Sequence, residues 1–209
     1  MRYQGRVLTA FVTFTLASVL IVLLPGPDTL VVVRNLVREG RPTAVLTVLG
    51  VLTGLSLWVS AAALGLSVLL RASHDAYVGL KVAGAIYLVW MGVQSWRSRG
   101  VVTPDGPGRS GLLGRGYLAG LATDLLNPKV GVFFVTFLPG FVPSGEPVGL
   151  LTLAFGAIFV VLTAVYFVVL LSLAGRVTDW MDRPVVRRRI ERVTGSVLIG
   201  FGARLATEG

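Results

Sequence analysis

Leu24-Pro25-Gly26-Pro27-Asp28 interrupts an apolar run, Val7 to Leu24, that contains no charged residue. The run is long enough to enter a bilayer as a helix, and two prolines and a glycine then break it. Proline lacks the amide that would bond the carbonyl four residues back, so Pro25 and Pro27 release the carbonyls of Ile21 and Leu23. A second break follows a hundred residues later in Asp124-Leu125-Leu126-Asn127-Pro128-Lys129, where Pro128 releases the carbonyl of Asp124. Lipid satisfies no polar backbone group, and non-helical backbone at membrane depth persists only where it is buried in protein or lines a wet cavity. Both breaks therefore read as walls of a permeation path.

The remaining composition agrees with a membrane chain. Of 209 residues, 54% are hydrophobic and 14% charged, against roughly a quarter charged in soluble domains, and the mean hydropathy is +0.81. The net charge of +9 lies in short loops between apolar runs, which the positive-inside rule explains better than nucleic-acid binding does. Cysteine is absent, which excludes disulfides, thiolate metal sites and a cysteine nucleophile. The single histidine, His74, has no ligand cluster around it in sequence, so no metal site is expected. No nucleophile, base and orienting group appear together, and no phosphate-binding glycine-lysine loop is present. The chain reads as a non-enzyme without cofactor, powered by an ion gradient rather than ATP.

The hydropathy pattern predicts an all-α membrane protein of about six segments. Segment one, Val7–Leu24, is followed by a short arm, Asp28–Val33, and a basic loop, Arg34–Arg41. Segment two covers about Thr43–Leu70 and is rich in small residues suited to close helix contacts. A loop over Arg71–Ala76 leads to segment three, Tyr77–Trp96. Segments four, five and six cover about Leu112–Val142, Val148–Ala174 and Val193–Ala206, with a basic loop, Arg176–Arg189, before the last, which is short for a span. The chain is a single transporter domain, 1–209, formed from repeat one (about 7–97), a glycine- and proline-rich linker (98–111) and repeat two (about 112–206). Each half starts with a proline-broken segment and closes on a similar cluster, Lys81-Val-Ala-Gly84-Ala and Arg192-Val-Thr-Gly195-Ser. Three spans per half, an odd number, predict inverted repeats of the secondary-transporter kind. The first break lies late in its segment and the second nearer the middle of its own. Loops after segments one, three and five carry twelve Lys/Arg and the opposite side four, which puts both termini outside.

Most acidic residues, among them Glu39 and Glu191, are read as loop or terminal residues. Asp28 and Asp124 are different because each adjoins a break, and an intramembrane acid is by default a substrate, ion or proton site. The structural alternative is that Asp28 caps the helix after Pro27 and that Asp124 stabilises a kink or pairs with Lys129. Freed carbonyls and an aspartate suit an ammonium group, and the helix N-termini after Pro27 and Pro128 suit a carboxylate, so a small zwitterion fits.

The motifs Leu24-Pro-Gly-Pro-Asp28 and Gly50-Val-Leu-Thr-Gly54, the string from Lys81 to Arg97, and Asn127-Pro-Lys129 through Phe137-Leu-Pro139 resemble the LysE family of amino-acid exporters. Within it they are most similar to the homoserine, threonine and leucine efflux branch. The resemblance covers nearly the whole chain in order. It implies a multi-pass exporter in the bacterial inner membrane, driven by the proton motive force, with an amino acid and a coupling proton as partners. It also implies Pro25, Gly26, Pro27, Asp28, Asn127, Pro128 and Lys129 as path residues; Asp124 joins them from its position alone. Where the family commonly has glutamine after the segment-four Leu-Pro, this chain has Gly140. Where some members have a histidine in segment two it has Trp58, which would shift preference toward apolar side chains. A passive channel, or export of another small solute or cation, is the alternative function, and a homo-oligomer is compatible with the sequence.

Overall fold

The computed structural model describes residues 2–72, 74–97, 115–143, 145–173 and 184–207, and these are helical nearly throughout, with no strand among them. In chain order the helices are α1 (Arg2–Leu23), α2 (Pro27–Glu39), α3 (Arg41–Ala72), α4 (His74–Arg97), α5 (Gly116–Leu125), α6 (Pro128–Val132), α7 (Val148–Ser172) and α8 (Pro184–Thr207). After α6 the chain widens into a π-helical turn, Phe133–Phe137, and tightens into a 3₁₀ turn, Leu138–Phe141. Both prolines after the breaks start a helix, at the position where a missing amide costs nothing.

Several expected loops are helix instead. The short arm after the first break runs for 13 residues to Glu39, so Arg34 and Arg38 lie on α2. Asn35 then donates to Thr47 at 2.8 Å, which pins α2 against α3 around Gly40, whose φ of 85° suits glycine. The loop expected over Arg71–Ala76 is helical to Ala72 and again from His74. The last segment begins at Pro184, so Arg187, Arg188, Arg189 and Glu191 are helical and α8 is 24 residues long rather than short. These polar side chains concealed the helix because a hydropathy reading ends where charge begins. The linker 98–111 lies outside the described residues.

Three helical stretches are each long and apolar enough to cross a membrane: Arg6–Leu23, Arg41–Gly65 and Val148–Ser172. Gly116–Leu125 with Pro128–Phe141, bent by 50° at the break, is a fourth if the bent pair crosses as one span. Helices α4 and α8 have 24 residues each, about 36 Å of helix and so long enough for a hydrocarbon core of about 30 Å.

The strongest contacts join the two halves. α1 packs on α7, α5 on α3, and α4 on α8, while α3 and α7 meet each other. Exchanging the halves turns this set of pairs into itself. Glycine makes two of the seams close. A Cβ at Gly120 would collide with the Thr47 carbonyl, and one at Gly50 with that of Tyr117, so α3 and α5 meet backbone to backbone. The α4–α8 seam repeats the device at Gly92 and Gly195. In lipid, such van der Waals fit takes the place of the hydrophobic drive. Phenylalanines fill the centre: Phe14 stacks on Phe155 at 4.7 Å, Phe133 lies 4.8 Å from Phe159, and Phe137 meets Phe201 edge-on at 4.5 Å.

Candidate functional site at the two helix breaks

The two breaks meet. Asn127 Nδ2 donates to Asp28 Oδ2 at 2.7 Å, across 99 residues of sequence. Gly26 occupies the cap position of α2 and makes no side-chain cap bond, so Asp28 is a first-turn acid near the positive helix end rather than the cap. Asn127 caps α6 instead, its Oδ1 accepting from the Lys129 amide at 3.1 Å. One amide side chain thus ends one helix break and holds the acid of the other.

Lys129 crosses in the opposite direction. Its Nζ donates to the carbonyls of Ile21 and Leu24, both at 3.0 Å, and its arm runs beside Gly26. The carbonyl of Ile21, expected free, also accepts from the Leu24 amide at 3.2 Å. The expected alternative pairing of Lys129 with Asp124 does not occur. The freed carbonyl of Asp124 takes the Asn127 amide at 3.0 Å and Trp58 Nε1 at 3.4 Å. The Asp124 side chain is 0% exposed, both its carboxylate oxygens lack a hydrogen-bond partner among the described residues, and so does Asp28 Oδ1. The Asp124 carboxylate lies against bare backbone at Gly54, where a Cβ would collide with it.

A cavity of about 40 Å³ opens between the breaks, lined by Gly26, Asp28, Asn127 and Lys129 and by Thr29, Thr163 and Tyr166. Val51, Leu55, Phe133, Phe159 and Phe167 form its apolar wall. At ~10–15 Å³ per water centre it has room for about three waters, fewer places than the heavy atoms of the smallest amino acid. The site is too small in this form to hold an amino acid. Of the residues anticipated from sequence, Gly26, Asp28, Asn127 and Lys129 border this cavity; Pro25, Pro27, Pro128 and Asp124 are not among its lining residues. Pro128 instead borders a second, broader groove of about 520 Å³, with Trp58, Gly84, Tyr87, Gly131 and the other face of Asn127. Trp58 packs its ring on Gly131 and is absent from the central wall, so the side-chain preference expected from it has no contact there. Gly140 lies exposed in the 3₁₀ turn.

A family model described as LysE type translocator matches residues 19–209. The chain belongs to the LysE family. This LysE-type chain is 31% identical to a threonine efflux protein of Escherichia coli, over 95% of this chain and 98% of the relative. It is 29% identical to a homoserine/homoserine lactone efflux protein of Salmonella typhimurium, over 93% of this chain and 94% of that one. A membrane protein of Bacillus subtilis is 28% identical over 90% and 93%. No solved structure matches it. The family and these relatives make the chain a multi-pass membrane translocator and not an enzyme.

Sequence reasoning missed the α7 contribution to this LysE-type site. Tyr166 meets Thr29, hydroxyl to hydroxyl, at 3.3 Å, and Thr163 stands one turn earlier on the same helix face. The available signal was their three-residue spacing, two polar side chains on one face in the apolar middle of the helix.

Proposed function

We propose that the chain exports a small zwitterionic amino acid across the bacterial inner membrane, as a secondary carrier of two inverted halves driven by the proton motive force. The observation that carries this reading is the meeting of the two proline breaks around a small cavity bordered by Asp28, Asn127 and Lys129. Broken helices present backbone carbonyls and positive helix ends to one central point, the arrangement by which secondary transporters hold charged solutes. A cavity too small for an amino acid suits a carrier that alternates better than a channel with a standing pore.

Relatives named for threonine and homoserine efflux suggest a hydroxylated side chain, and the Thr29–Tyr166 hydroxyl pair supplies a polar corner for it. Asp28 shares its charge with Asn127, whereas the Asp124 carboxyl has no hydrogen-bond partner among the described residues to support an ion. An uncompensated buried carboxylate is costly, so we assign Asp124 as the proton carrier and Asp28 as the acid facing substrate.

The test uses purified protein in vesicles loaded with labelled threonine, homoserine or leucine under an imposed pH gradient. The parent should drive at least one of them uphill. Asp124→Asn should keep downhill flux and lose uphill transport, while Asp28→Asn should lose both, each normalised to inserted protein. Flux in the parent that never runs uphill under any gradient would point to a channel and refute the carrier. Both variants matching the parent would return the aspartates to the scaffold.

A further inference from the structure

The carbonyl pocket at the end of α1 has the chemistry of an ammonium site, yet it holds the protein's own ammonium. Lys129 Nζ lies 3.0 Å from the carbonyls of both Ile21 and Leu24, at the negative end of a helix dipole. Lys129 is 9% exposed, its backbone is fixed by Asn127, and its arm passes Gly26, where a Cβ would still stand 3.9 Å from Nζ. The lysine thus reaches the pocket from the other half of the molecule, 108 and 105 residues away in sequence.

We propose that Lys129 is a tethered cation that stands in for the substrate's α-ammonium when the carrier is empty. The proposal rests on the amino-acid carrier reading above and goes beyond it by naming what the empty site contains. Without Nζ the Leu24 carbonyl loses this bond and the Ile21 carbonyl one of its two, and an unsatisfied polar group in hydrocarbon is costly. With Lys129 in place both α1 carbonyls are bonded and the cavity is about 40 Å³. An arriving amino acid brings its own ammonium, displaces Nζ from Ile21 and Leu24, and reopens the space the lysine head occupied. Loaded and empty carriers then both present a filled pocket, and both can change access. The freed lysine head swings on a flexible four-carbon stem, which lets one residue leave and return without moving a helix.

This predicts a split between two modes of flux that a substrate-holding or purely structural lysine would not produce. Exchange needs only the loaded carrier to cross; net efflux also needs the empty carrier to return. Lys129→Met keeps an apolar stem of similar reach and removes the cation. Its net downhill efflux should fall about tenfold or more relative to exchange of labelled for unlabelled amino acid, read as the ratio of the two rates. Lys129→Arg, which restores a cation, should recover net efflux. Exchange falling together with net efflux in properly inserted Lys129→Met would overturn the proposal, because the lysine would then hold substrate or scaffold. Net efflux unchanged in Lys129→Met would overturn it as well. Should Lys129→Met not insert, Lys129→Arg decides alone: exchange without net efflux would show that any cation does not suffice and would end the proposal, and both modes retained would uphold it. Failure of the carrier reading is separate and visible in the parent, which would show neither mode with any amino acid.

Discussion

Asn127 is the hinge on which the two breaks depend, and its replacement tests the site geometry. Asn127→Ala removes a cap, worth about 1 kcal/mol, and the 2.7 Å bond to Asp28. Hydrogen bonds to charged groups contribute ~1.5–3 kcal/mol in water-soluble proteins, but interhelical bonds measured in lipid average ~0.6 and reach ~1.7. A short bond from a residue only 2% exposed belongs near that upper figure. The total is then about 2.7 kcal/mol, roughly a hundredfold in the equilibrium between the joined and parted breaks. That is within the 5–15 kcal/mol stability of a typical fold, so the variant should insert yet exchange substrate far more slowly. Asn127→Asp separates the two contributions. Aspartate caps as well as asparagine, so α6 is kept, but a second carboxylate now faces Asp28 at hydrogen-bond distance. Like charges that close do not ionise together freely, and a shared proton rebuilds the bond as O–H···O. Exchange by Asn127→Asp, assayed with equal pH on both sides to exclude any driving gradient, should therefore rise as pH falls from alkaline to mildly acidic. Asn127→Ala should show no such rise beyond that of the parent. An Asn127→Asp profile that parallels the parent, or Asn127→Ala exchanging at the parental rate, would refute the bridging role.

Further outcomes follow from the backbone. Gly120→Ala should cost about 1–3 kcal/mol by overpacking, because its Cβ meets the rigid Thr47 carbonyl; a melting temperature in detergent equal to the parent's would deny the close seam. Pro27→Ala and Pro128→Ala restore an amide donor and favour straight helices, so export should drop at equal membrane abundance, and undiminished export in both would make the breaks incidental.

Much of this was readable in the sequence because prolines and lone acids stand out in apolar runs. Pro25, Pro27 and Pro128 mark the breaks and Asp28 and Asp124 stand out as acids beside them, whereas Asn127 and Lys129 enter as site residues through the family resemblance. Which carbonyl each donor would reach was not readable. Lys129 fills a pocket 108 residues away that sequence reasoning reserved for a ligand, because spacing along a chain says nothing about which polar group arrives first. The start of α8 was missed for a different reason. Arg187, Arg188 and Arg189 are strong helix formers, but three adjacent charges match the pattern of a loop.

The seams between halves set an order of events during synthesis. At about 5–20 residues per second, the 108 residues separating Ile21 from Lys129 take ~5–22 s to make. Throughout that interval the α1 carbonyls have no lysine; the glycine face of α3 waits for α5 until near its end, and that of α4 waits beyond it for α8. The first half therefore waits in the membrane as an unfinished surface. Its broken helix must be held by water or by the insertion machinery until the second half is delivered.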